Sequence, residues 1–155
     1  MLIKFNKQMT DTLKLLREKE AVYKTEKAFT MPEDVWAKVN AFEAGLDEIE
    51  QGKERFYCIG LTTANKIKYI DIVSTGTLNY NIVHPREVFR TAILAGVSSL
   101  IIAHNHPSNS VEPSPEDIAL TKRLEEAGKI LGIKILDHII TTKAGFSSFQ
   151  EKGLL

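Results

Sequence analysis

The chain is 155 residues long, 43% hydrophobic and 26% charged, as expected of one soluble globular domain with a sizeable core. Lysine plus arginine equal aspartate plus glutamate at 20 each, so no net charge draws it toward nucleic acid or an acidic membrane. No apolar stretch approaches the length of a membrane span and the N-terminus lacks a signal-peptide core, which points to the cytoplasm.

Residues 1–30 show weak patterning: 11–20 suit a short helix through Leu13 and Leu16, whereas 24–27 are polar. We read them as an N-terminal arm, with the domain proper over 31–155. Met31-Pro32-Glu33-Asp34 signals a helix start, with proline at the first position and acids in the first turn. Val35, Val39, Phe42, Leu46 and Ile49 follow at helical spacing beside Trp36, predicting one amphipathic helix that ends at Gln51-Gly52-Lys53. Phe56-Tyr57-Cys58-Ile59-Gly60-Leu61 is a short continuous apolar run, the signature of an interior strand. Cys58, the only cysteine, excludes an intramolecular disulfide and reads as a buried, inert thiol.

A turn over 62–65 and a strand over 67–73 follow, then a loop over 74–79. His84-Pro85-Arg86-Glu87 starts a helix with Val88, Phe89, Ala92 and Ile93 on one face and Gly96 as its cap. The apolar run 97–103 leads into His104. Ser114-Pro115-Glu116-Asp117 opens a further helix, with Leu120, Leu124, Ala127 and Leu131 on its buried face and Gly132 at its end. A strand over 133–141 and a short one over 146–149 close the chain. The order of elements predicts an α/β domain: a mixed β-sheet with helices packed on it.

His104 and His106 stand two apart at the end of a strand, so both imidazoles point to one face. Asp117 brings a carboxylate back toward them from the start of the next helix. Alone, Asp117 and Ser114 read as a capping box; with the histidines, they favour a metal site. Two imidazoles and one carboxylate, with no evident fourth ligand, describe a catalytic zinc site open to water. His84 and His138 read as structural, although Asp137 or His138 could stand behind the ligands. Spacing does not single out a general base: Glu50, Glu54, Glu87 and Glu112 are candidates, with Glu54 modestly favoured because it directly precedes an interior strand.

His104, His106, Pro107, Ser114 and Asp117 carry every spacing of the His-x-His-Pro, six residues, Ser, two residues, Asp signature. The chain thereby resembles the JAMM (MPN+/JAB) metalloprotease domain, and most closely its RadC branch, which typically shows His-Asn-His-Pro-Ser-Gly. Arg55-Phe56-Tyr57, Gly76-Thr77-Leu78-Asn79, His84-Pro85-Arg86-Glu87-Val88 and Leu136-Asp137-His138 also look like RadC segments, so the resemblance covers roughly 50–155. It implies a cytidine-deaminase-like/JAMM architecture and zinc held by His104, His106 and Asp117. It makes Glu54 the general base, in the place of the glutamate before the first core strand, and Ser114 the oxyanion donor. The implied activity is a zinc-dependent metallopeptidase acting on a peptide or isopeptide bond of a peptide or protein substrate.

Asn109 departs from the usual glycine, which should stiffen the loop or alter its turn. Residues 1–50 lack the glycine-rich hairpins of the helix-hairpin-helix domain found in longer RadC proteins, and no long insertion flanks the motif for holding ubiquitin. The alternatives are a nucleic-acid-associated RadC-type DNA-repair protein or nuclease, which the balanced charge disfavours, and a non-catalytic metal-binding scaffold. A zinc deaminase lacks support because its Pro-Cys-x-x-Cys ligand pair is absent. Exposed edge strands are compatible with a homo-oligomer.

Overall fold

The computed structural model describes residues 31–76 and 83–155; the arm expected over 1–30 lies outside the described residues. Described in chain order are α1 (Pro32–Ala44), α2 (Glu48–Gln51), β1 (Glu54–Leu61), β2 (Ile67–Gly76), α3 (Pro85–Ala95), β3 (Ser99–Asn105), α4 (Pro115–Leu131), β4 (Lys134–Thr141) and β5 (Phe146–Ser148). The strands form one mixed sheet in the order β2-β1-β3-β4-β5. Only β3 and β4 run parallel, joined through α4; the other neighbours are antiparallel. That crossover returns the start of α4 to the C-terminal end of β3, where the histidines are.

Helices cover both faces of the sheet. Phe56, Cys58, Leu100 and Ile102 pack with Val88 and Phe89 of α3 and Leu120 and Leu124 of α4. Tyr57, Ile59, Ile101, Ala103 and Ile139 pack on the other face with Val35 and Val39 of α1. A strand covered on both sides has no polar face to show, which explains the unbroken apolar runs in β1 and β3. Cys58 is buried, and desolvation pushes its thiol up to about 12, so it is inert as expected. No described helix is long and apolar enough to cross a membrane.

Several expected details differ. The single helix over 31–50 is two helices, because α1 ends at Gly45 and the Asp47 carboxylate accepts from Glu50 N at 2.9 Å, capping a new turn. Its apolar stripe is therefore cut short: Val35 and Val39 are buried, but Phe42 is 41% and Ile49 79% exposed. β2 continues through Ser74 and Thr75 to Gly76, which pairs with Glu54, so the ladder spans all of β1. On α3, Thr91 rather than Ile93 faces inward. On α4 the buried stripe runs Asp117, Leu120, Thr121, Leu124, Gly128, and Leu131 is exposed. Gly128 takes the inward place because its backbone lies against Ile133, where a Cβ would sit 2.5 Å from the carbonyl oxygen.

Candidate metal centre

β3 is wholly buried and places His104 on the α4 face of the sheet. His106 follows just beyond the strand, where its N–H donates to Thr141 O at 2.8 Å and prolongs the parallel ladder. Alternation then returns its ring to the His104 side. Proline at the start of α4 and Ser114 at its N-cap fix where Asp117 stands. His104 Nε2 lies 2.9 Å from His106 Nε2 and 3.3 Å from Asp117 Oδ1, and the three residues each offer a ligand atom within 4.8 Å of the others.

The expected capping box is complete. Asp117 N donates to Ser114 Oγ at 3.1 Å, and Asp117 Oδ2 accepts from Ser114 N at 2.8 Å and Ser114 Oγ at 2.7 Å. The capping bonds thus fall on Asp117 Oδ2, while Oδ1 is the oxygen turned toward His104. The single Ser114 hydroxyl proton is engaged with Asp117 here.

A buried relay fixes the His104 tautomer. Thr121 Oγ1 donates to Asp117 O at 2.6 Å, so it can only accept from His138 Nδ1, also at 2.6 Å. His138 then carries its proton on Nδ1, and its bare Nε2 accepts from His104 Nδ1 at 2.8 Å. Burial holds both imidazoles neutral, taking His104 down to about 4 and His138 well below its usual value. His104 Nε2 is consequently a lone pair aimed at His106. His106 Nδ1 meets Ser110 O at 2.7 Å and must donate there, so a neutral His106 is bare at Nε2 too. Two imidazole Nε2 atoms facing each other beside a carboxylate are satisfied by a proton or a metal ion held among them. The donor set fits a metal ion. Phe56 stacks on His104 at 6.4 Å and Phe149 on His138 at 4.5 Å, holding the ring planes.

His138 therefore stands behind His104. It does not share a face with Leu136, as simple alternation suggests: a register shift between Leu100 and Ile101 marks an irregular β3–β4 ladder, and Leu136 packs with the α1-side core. Asp137 serves this bend instead of the metal centre. Its carboxylate accepts from His138 N, Gln150 N and Ser148 Oγ, while burial raises its pKa. His84 is the α3 N-cap residue, makes no side-chain cap and meets Arg123 at 3.4 Å.

The acidic candidates stand in different surroundings. Glu50 pairs with Lys53 and Arg55, and the Lys53 hydrogen bond lowers its pKa. Glu87 pairs with Arg86 and Arg90, and Glu112 with Lys152. Glu54 begins β1 two residues before Phe56, whose Cα partner is His104, so alternation along the strand puts Glu54 on the His104 face of the sheet. Asn109 has a φ of +60°, the left-handed region that glycine enters freely and asparagine tolerates. Asn109 N closes the turn onto His106 O at 3.0 Å. A groove of about 710 Å³, lined in part by Asn40, Glu43, Asn105, His106 and Thr141, opens beside the cluster.

Thr121 and Ser110 were not legible beforehand. Thr121 left one signal, a polar residue four after Asp117 on a buried stripe. Ser110 acts through its carbonyl, which no side chain advertises.

The RadC-like JAB domain family matches residues 29–154. The chain belongs to that family. Its RadC-like relatives include a UPF0758 protein of Desulforamulus reducens, 47% identical over 80% of this chain and 52% of its own length. UPF0758 protein TTE0897 of Caldanaerobacter subterraneus subsp. tengcongensis is 49% identical over 80% of this chain and 51% of its own. A UPF0758 protein of Desulforudis audaxviator is 50% identical over 66% and 44%. The chain spans about half the length of the curated relatives it matches. The mixed five-stranded sheet with its packed helices is consistent with the JAB fold.

Proposed function

We propose that the protein is a zinc-dependent metallopeptidase that hydrolyses a peptide or isopeptide bond. One observation carries the reading: two imidazole lone pairs and the Asp117 carboxylate converge on one point, on the face that Glu54 shares. Nitrogen and oxygen donors in this mixture suit zinc. When bound, zinc supplies a Lewis acid and a water of lowered pKa.

The chain's own residues do the rest. The Thr121–His138 relay holds His104 in its ligating tautomer, and Ser110 O does the same for His106. Glu54 takes a proton from the attacking water and returns it to the leaving amine. Ser114 swings its hydroxyl proton from Asp117 Oδ2 toward the developing oxyanion, while its oxygen keeps capping α4. The adjoining groove offers polar walls of Asn40, Gln51 and Asn109 to an extended substrate.

The test is zinc stoichiometry together with cleavage of a fluorescence-quenched peptide library, for the wild type, Glu54→Gln and His104→Ala. Wild type should bind one zinc and cleave, Glu54→Gln should bind zinc without turnover, and His104→Ala should lose both. An active Glu54→Gln protein overturns the base assignment. Zinc bound with no peptide cleaved overturns the peptidase in favour of a scaffold, and salt-dependent DNA binding would favour a nucleic-acid role.

A further inference from the structure

Beyond the ligands, the segment carrying Glu54 is tied down from one side chain. Asn105 is the residue between the two histidines and is 7% exposed. Its Oδ1 accepts from Arg55 N at 2.6 Å, and its Nδ2 donates to Lys53 O at 2.9 Å. Those two peptide groups flank Glu54. At this point the backbone of β3 can no longer serve β1, because the β1–β3 ladder has its last pair at Phe56 and His104 and His106 N turns to Thr141 O.

We infer that Asn105 is the positioning residue for Glu54: its carboxamide replaces the missing rung of the sheet and fixes the direction in which the Glu54 side chain leaves the backbone. The chemistry restricts the choice. A carboxamide carries one acceptor and donors on the same planar group, as a peptide does; aspartate lacks the donor, and serine lacks the reach and the second atom. The neighbouring side chain is fastened as well, for Arg55 pairs with Glu43 at 3.0 Å and Glu50 at 2.6 Å. On the other edge Glu54 pairs with Gly76 of β2. The base of the reaction is thereby held from both sides, and the residue that holds it sits between the two imidazole ligands. A displacement of the metal strand shifts the base with it. Misplacement by about 1 Å costs a base on the order of a hundredfold in rate.

This inference rests on Glu54 being the base, and its test separates the two. In metal-free protein, Asn105→Ala should speed hydrogen exchange of the Arg55 amide at least tenfold, while zinc titration shows affinity within about threefold of wild type. On the quenched peptide library, Asn105→Ala should lower kcat about 10- to 100-fold with little change in KM. In a Glu54→Asp background, whose shorter carboxylate keeps a weak and measurable turnover, the same substitution should cost far less than it does in the wild type, a coupling that a merely structural role would not produce. Asn105→Asp, which keeps the acceptor alone, should still protect the Arg55 amide yet lose turnover. Unchanged Arg55 exchange in Asn105→Ala overturns the clamp, and additive losses in the double variant overturn its action through Glu54. Full activity of Glu54→Gln overturns the base instead and leaves the exchange result to decide the clamp.

Discussion

His104 Nδ1 stands 2.8 Å from His138 Nε2, deep in the protein, with both rings neutral and their protons assigned by a threonine one helical turn beyond Asp117. Neither residue of this pair faces solvent, so the contact acts only on the orientation and basicity of the outer imidazole.

Thr121→Val should therefore weaken metal binding without touching a ligand. It removes the acceptor for His138 Nδ1 and frees that ring to take the other tautomer. The expected loss of zinc affinity is about 10- to 100-fold, read by competition with a chromophoric chelator. Wild-type affinity in a folded Thr121→Val protein would show that the relay does not set the tautomer.

The metal-free protein should lose stability as the solution turns acid. His104 has a folded pKa of about 4, lowered first by burial, against about 6.5 when unfolded. Between those values the unfolded chain binds the proton and the folded one does not, so stability is intact above about 6.5 and falls as pH drops toward 4. His138, lowered by burial and its histidine neighbours, acts in the same direction. Each contributes at most ~1.4 kcal/mol per pH unit in that window. Urea unfolding of chelator-treated wild type and His104→Leu checks this; equal pH slopes would contradict it.

Ser114→Ala should cost about 1–2 kcal/mol of stability, since it deletes the oxygen capping Asp117 N as well as a hydroxyl bonded to the ligand carboxylate. Ser114→Thr keeps both bonds and should restore most of it. Thermal unfolding with excess chelator isolates this from metal binding. A Ser114→Ala protein as stable as wild type would mean the capping box is unimportant here.

Asn109→Gly should be close to neutral, because φ is already +60°. Asn109→Val, β-branched at that φ, should cost ~1–3 kcal/mol and reduce zinc affinity by displacing Ser110 O from His106 Nδ1. Zinc titration of the two variants side by side decides it. Equal affinity would detach the turn from the histidine.

Much of this protein was readable in one dimension. The apolar run of β3 ending in His104, the Ser-Pro-Glu-Asp start of α4 and the αL glycines Gly96 and Gly132 that end α3 and α4 are local features, and local chemistry is what a sequence states directly. The spacing of His104, His106 and Asp117 belongs to the same class, since a strand end and the next helix start are adjacent along the chain. The first helix misled for a local reason too: Leu46 and Ile49 kept the period, but Gly45 and the Asp47 cap broke the backbone.

The rest depended on packing partners far along the chain. His138 is 34 residues from His104, and its face was set by an irregular ladder between β3 and β4 that alternation does not foresee. Asn105 reaches back 50 residues to Arg55 N, a contact made only once β1 and β3 pair antiparallel. The sequence by itself determined which atoms are offered to a metal. Tertiary structure decided which of them carry protons, because a buried imidazole takes its tautomer from whatever the fold lays against its other nitrogen.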